Sequence, residues 1–168
     1  MATRDSATGP ISIGCAVCVN RATAAAFAVF ALLAMTPAAA DAPSGRYTVA
    51  PPEVLDTATG LTWMMTDPKT GGDDGAGGFR WANAVDHCVT LGAGWRLPTV
   101  KELLTLVDIG KPAGPTIDEA AFPGTSKAAY WSSNALAGST DRAWFVTFDY
   151  GGTGFDFLTQ PYRVRCVR

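Results

Sequence analysis

Histidine occurs once, at His87, in a chain of 168 residues. A metal site takes three or four ligands, and a Ser-His-Asp system needs a histidine base. With one imidazole, no H-E-x-x-H motif and no Ser-His-Asp order to assign, the sequence names no catalytic residue, no metal set and no cofactor. Positive charge is also scarce. Thirteen Lys and Arg stand against fifteen Asp and Glu, for a net charge of −2, so the basic footprint of a nucleic-acid binder is missing. The main apolar stretch, residues 22–36, is shorter than the ~20 residues that span a bilayer. No unit repeats at a period of roughly 20–50 residues, which excludes solenoids and propellers.

What the chain does have begins with that apolar stretch. Arg21 precedes it, and Pro37 and Ala38-Ala39-Ala40 follow. A charged n-region, a short apolar h-region and an A-x-A site describe a secretory signal peptide. Cleavage is expected after Ala40, with a retained membrane anchor as the alternative. Residues 1–40 are then leader, and the mature chain is periplasmic or secreted with no transmembrane span. Removing Arg4, Arg21 and Asp5 moves the net charge from −2 to −3. Cys15-Ala-Val-Cys18 has redox spacing, but it falls in the leader without the strand and helix that a thioredoxin-type site needs. Cys88 and Cys166 remain. Two cysteines in an exported protein most often pair, and this bridge would close a loop of 78 positions. A reactive pair or metal ligation is the competing reading.

Residues 41–53 form a lead and a first strand. Val54-Leu55 and residues 61–65 flank Asp56-Thr-Ala-Thr-Gly60, whose Asp and Gly suit a hairpin turn. Residues 67–78, with five glycines and three aspartates, read as a flexible acidic loop; EF-hand spacing is absent. Trp81, Ala84, Val85, Cys88 and Leu91 share one helical face, ended by Gly92. Arg80, Asn83, Asp86 and His87 take the wet face. Thr99 and Glu102 make a capping box for a second helix, with Val100, Leu103, Leu104 and Val107 as its buried stripe. Residues 130–133 read as a strand. Trp144, Val146 and Phe148 alternate along another, and Phe155 and Phe157 continue in its return. Tyr162, Val164 and Cys166 alternate with Arg163 and Arg165 in a last strand. Two helices followed by late hairpins indicate an α+β fold.

These landmarks resemble the Lcl C-terminal domain family of exported bacterial proteins. The matching residues are Asp56 with Thr59-Gly60-Leu61-Thr62-Trp63, then Trp81 with Ala84 and Cys88. Trp95-Arg96-Leu97-Pro98-Thr99 and Lys101-Glu102-Leu103 follow, then Phe122-Pro123 and Tyr130-Trp131-Ser132-Ser133. Ala143-Trp144 with Phe148 and the terminal Val164-Arg165-Cys166-Val167-Arg168 complete the set. The resemblance covers residues 54–168. It implies a C-type-lectin-like fold: two helices on small antiparallel sheets, long loops, and N- and C-terminal strands close together. It also implies a disulfide from the first helix to the last strand, which Cys88 and Cys166 fit. The chain departs from the family's pattern at His87, where an aromatic residue is common, and in its glycine-rich loop at 71–78.

The resemblance further implies an exported, non-catalytic binding or adhesion module for polysaccharide or other cell-envelope material. The alternative is a structural or protein-interaction domain of the envelope. An enzyme of the formylglycine-generating type fits less well, because that chemistry uses reactive cysteines. Candidate ligand residues are Tyr150 and Asp149 at a Gly-Gly turn, Asp156 on the return strand, and Arg163 and Arg165 on a common face of the last strand. Lectin-type calcium is not expected, since Trp131-Ser132-Ser133 lacks hard oxygen ligands and Gln160-Pro161-Tyr162 lacks the acid.

Overall fold

The computed structural model describes residues 43–111 and 113–168. The expected signal peptide, and with it Cys15 and Cys18, lies outside the described residues. Turn chemistry sets the first sheet. Glu53–Asp56 (β2) and Leu61–Met64 (β3) pair antiparallel around a turn in which the Gly60 N–H donates to the Asp56 carbonyl at 2.8 Å. Gly60 sits at φ +72°, a conformation that is strained for a residue with a Cβ. Tyr47–Ala50 (β1) adds to the far side of β2, so the order is β1-β2-β3. Val54 and Trp63 face each other across the ladder, and both are buried.

The glycine-rich segment is ordered by its own acids, where a flexible loop was expected. Gly71–Gly72 (β4) pairs with Ala76–Gly78 (β5) in a short parallel ribbon. Asp74 accepts the N–H groups of Ala76 at 2.8 Å and Gly78 at 2.7 Å. Asp73 accepts the Arg80 N–H at 2.6 Å and the Asn83 amide at 2.7 Å. These bonds fasten the segment to the start of the first helix, Trp81–Thr90 (α1).

Ala84 and Cys88 are the buried residues of α1. His87 is half-buried against the Phe79 ring, centroids 4.8 Å apart, so it does not share the wet face. Val100–Thr105 (α2) starts with the expected capping box. It is only six residues long, and its inward positions are Leu103 and, at the C-cap, Leu106. Leu104, expected in the stripe, is 39% exposed.

Ala129–Ala135 (β6), Arg142–Thr147 (β7) and Thr153–Phe157 (β8) form an antiparallel sheet in chain order. Its faces close two cores. Tyr130, Val146 and Phe148 pack with Leu103, Leu106, Ile117 and Phe122 on one side. Trp131 and Ala143 pack with Cys88, Leu97, Val164 and Cys166 on the other. Full burial of each Val, Leu, Ile or Phe among them contributes roughly 1.5–3 kcal/mol.

The C-terminal segment is not a strand with one wet face. It makes single bridges instead, and Val167 pairs with both Trp63 and Arg96. Held from two sides, Val164, Arg165, Cys166 and Val167 are all buried. This places the chain end beside β3, with small antiparallel sheets, two helices and long loops making an α+β domain. No helix of the described residues is long and apolar enough to cross a membrane.

Candidate functional site

Most of the aromatic motif residues build the frame. Cys88 and Cys166 are bonded, with Cα atoms 5.4 Å apart. Arg96 grips Glu102 through two hydrogen bonds of 2.8 and 2.7 Å. Glu102 in turn accepts the Thr99 N–H at 2.7 Å, and the Thr99 hydroxyl accepts the Glu102 N–H at 3.2 Å. The Arg96 hydrogen bond is the main cause that draws the Glu102 carboxyl down to about 2. Trp63, Trp95, Leu97 and Trp131 are buried, and Pro98 accepts the Ser133 N–H at its carbonyl, 2.7 Å away. The Trp81 indole donates to the Ser132 carbonyl at 2.7 Å, and the Ser132 hydroxyl to the Trp144 carbonyl at 2.7 Å.

The five candidate ligand residues do not converge. Tyr150, 71% exposed, and Asp149 occupy the β7–β8 turn. That turn packs near the chain just after α2, since a Cβ on Gly151 would meet Val107 and Ile109. Asp156 accepts the Tyr162 hydroxyl at 2.6 Å. Burial first, and then this carboxylate, push the Tyr162 phenol up to about 12. Arg163 donates to the carbonyls of Pro68 and Ala76. Arg165 is a core residue rather than the partner of Arg163 on an open face. Its guanidinium donates to the Met64 and Met65 carbonyls and to the Thr125 hydroxyl, each at 2.8 Å. The reason is the bridging described above: a segment enclosed on both sides has no wet face for Arg165.

An open surface lies elsewhere, at the end of the third sheet that α2 fails to cover. The short α2 roofs Val146 with Leu103 and Leu106. Two residues earlier on the same face of β7, Trp144 is only half-buried. Between Trp144 and the first turn of α2 runs a groove of about 490 Å³, lined by Thr99, Val100, Lys101, Asn134, Ala135, Ala137 and Trp144. Asn134 fixes its floor by accepting the Val100 N–H at 2.8 Å. The aromatic face continues onto β8. Phe155, opposite Trp144, has its ring centroid 5.4 Å from the indole. The Arg142 guanidinium lies 4.5 Å from the Phe157 ring centroid and 5.9 Å from that of Phe155. Phe155 and Phe157 are 46% and 43% exposed.

Lys101, Asn134, Arg142 and Phe157 were not among the expected ligand residues. The available signal was the strand Thr153–Phe157, where Phe155 and Phe157 alternate with Gly154 and Asp156. Gly154 is needed because a Cβ there would sit 2.6 Å from the Phe145 ring on the opposite face. The two phenylalanines therefore occupy the outer face. A smaller cavity of about 220 Å³ lies by the disulfide, with His87, Asp67 and Cys166 in its wall. Burial lowers the His87 pKa, the sulfur is bonded, and Asp67 is held by Lys69 at 2.9 Å and by Arg165.

The frame thus joins an α+β domain, a helix-to-terminus disulfide and the Trp-Arg-Leu-Pro block. The chain belongs to the Lcl C-terminal domain family, whose model matches residues 52–168. A search of the curated proteins finds none that matches the chain.

Proposed function

We propose that the protein is an exported, non-catalytic binding module of the bacterial envelope, periplasmic or secreted, and that its ligand is a glycan. The observation that carries this reading is the uncovered strip of Trp144, Phe155, Arg142 and Phe157 continuous with the Asn134–Lys101 groove. Half-exposed aromatic rings give flat apolar surface for the C–H faces of a sugar, and a guanidinium stacked on rings keeps its outer N–H groups for hydroxyls. A groove of this volume, mostly apolar with a few polar groups, is the ordinary form of a small-ligand site. The signal-peptide pattern expected from residues 21–40 supports export, and the disulfide suits an oxidising compartment. The disulfide from α1 to the chain end and the closeness of that end to β3 support a C-type-lectin-like fold.

A second reading, a protein-interaction domain of the envelope, rests on β8. This strand is the edge of its sheet, and an open edge is a template for another strand. A glycan array run beside a pull-down from envelope extract separates the two. The glycan reading expects array signal that is lost in Trp144→Ala. Protein capture without array signal, lost when Phe155 becomes proline, supports the edge instead.

A further inference from the structure

We propose that the groove recognises the N-acetyl group of an amino sugar; this deepens the glycan reading and rests on it. The inference begins with Asn134. Its side-chain oxygen accepts the Val100 N–H, which fixes the amide orientation and leaves the NH2 to a ligand. Lys101 is exposed and makes no hydrogen bond or ion pair among the described residues. Trp144 carries an indole N–H, and indole and ammonium groups only donate. The Thr99 hydroxyl already accepts from Glu102. None of the described lining residues is acidic. The free side-chain groups of this groove are therefore mainly donors: the Asn134 NH2, the Lys101 ammonium and the Trp144 indole N–H.

A groove rich in donors and without a carboxylate discriminates among sugars. A sugar held by hydroxyls alone brings donors as well as acceptors, and its hydroxyl protons need carboxylates or carbonyls when water is removed. Leaving a buried donor unpaired costs roughly 1–3 kcal/mol, and a groove this open imposes only the lower part of that cost. An acetamido group brings a strong carbonyl acceptor. Its N–H points the opposite way across the planar trans amide, so it can stay toward water. Its methyl needs an apolar wall, which Val100, Ala135 and Ala137 supply beside Asn134. A carboxylated sugar would satisfy Lys101, but an exposed ion pair contributes only about 0–1 kcal/mol. It would also leave the alanine wall without a methyl. The ring of the amino sugar then lies on Trp144, and the next sugar units reach Phe155 and Phe157.

The test uses the full exported protein with three tetrasaccharides: chitotetraose, cellotetraose and tetragalacturonate. Chitotetraose and cellotetraose differ only in acetamido against hydroxyl. Calorimetry at physiological salt should show chitotetraose binding at least tenfold more tightly than the other two. Asn134→Asp keeps an acceptor for Val100 and removes the donor, so it should cut chitotetraose affinity at least tenfold without shifting the melting temperature. Ala137→Leu, at an exposed position, should fill the groove and do the same. Equal binding of chitotetraose and cellotetraose, both lost in Ala137→Leu, overturns the acetamido inference and leaves the glycan reading standing. Preference for tetragalacturonate overturns it likewise. If no tetrasaccharide binds and the array is blank, both fall.

Discussion

The guanidinium of Arg165 lies 3.5 Å from the carboxylate of Asp67, and neither side chain reaches solvent. Arg165 also ties the chain end to β3 and to Thr125, with its guanidinium 5.0 Å from the Phe122 ring centroid. Removing one partner of a buried pair costs about 3–5 kcal/mol, because the other charge is left uncompensated. Arg165→Ala should lose that much in urea unfolding. Arg163→Ala, which gives up carbonyl bonds and an exposed attraction to Asp74 at a half-buried site, should lose about 1–2 kcal/mol. Equal stability of Arg165→Ala and the unmodified protein would refute the buried pair.

The Cys88–Cys166 bond spans 78 positions. Closing a loop of that size in the unfolded chain corresponds to roughly 4–5 kcal/mol in the chain-entropy description. Free-thiol labelling of the folded, unreduced domain should find neither cysteine. The Cys88→Ala, Cys166→Ala double variant should unfold at lower urea by an amount of this order. Ready labelling of both thiols would contradict the pairing.

Glu102 gives the fold an acid limb. Its carboxyl is held near 2, below the ordinary 4.5, chiefly by the Arg96 hydrogen bond. A depressed carboxyl contributes stability that is fully present above the unfolded value and lost as pH falls through the folded one. The stability gap between the unmodified protein and Glu102→Gln should be largest at neutral pH and shrink between about pH 4.5 and 2. A gap that stays constant across that window would show that Arg96 does not act through the ionised form.

Tyr150, the most exposed aromatic of the late turn, lies by the chain just after α2, whereas the groove lies at the start of α2. Tyr150→Ala should change stability by less than about 0.5 kcal/mol and leave saccharide binding unchanged in calorimetry. Loss of binding in this variant would move the ligand surface to the turn.

Local signals were the readable part of the fold. Thr99 and Glu102 sit three positions apart and make the cap whatever surrounds them. Asp56 and Gly60 form their turn within one hairpin. Ala84 and Cys88 mark the inner face of α1 by spacing alone. Most of the misreadings are non-local. Alternation around Arg165 implies one wet face, but Val167 bridges Trp63 and Arg96 together and encloses the segment. One misreading is local: the aspartates of the glycine-rich segment read as solvated, yet Asp73 and Asp74 hold backbone N–H groups two to seven positions on. Trp144 follows the same alternation as Val146 and Phe148, and nothing local reveals that α2 is too short to cover it. Asn134 reaches Trp144 across the irregular β6–β7 register, and Lys101 joins them only through the packing of α2 on these strands.

The most direct test of the central claim follows the side-chain N–H resonances of the five tryptophans during titration with chitotetraose. Trp63, Trp95 and Trp131 are buried, and the Trp81 and Trp131 indoles already donate to the Ser132 and Phe79 carbonyls. Trp81 is half-buried like Trp144, but of the five only Trp144 lines the groove. The account predicts that the Trp144 indole and the Asn134 side-chain amide shift together and saturate at one concentration, while the other four indoles stay in place. Saturable binding that leaves the Trp144 indole unmoved would contradict it.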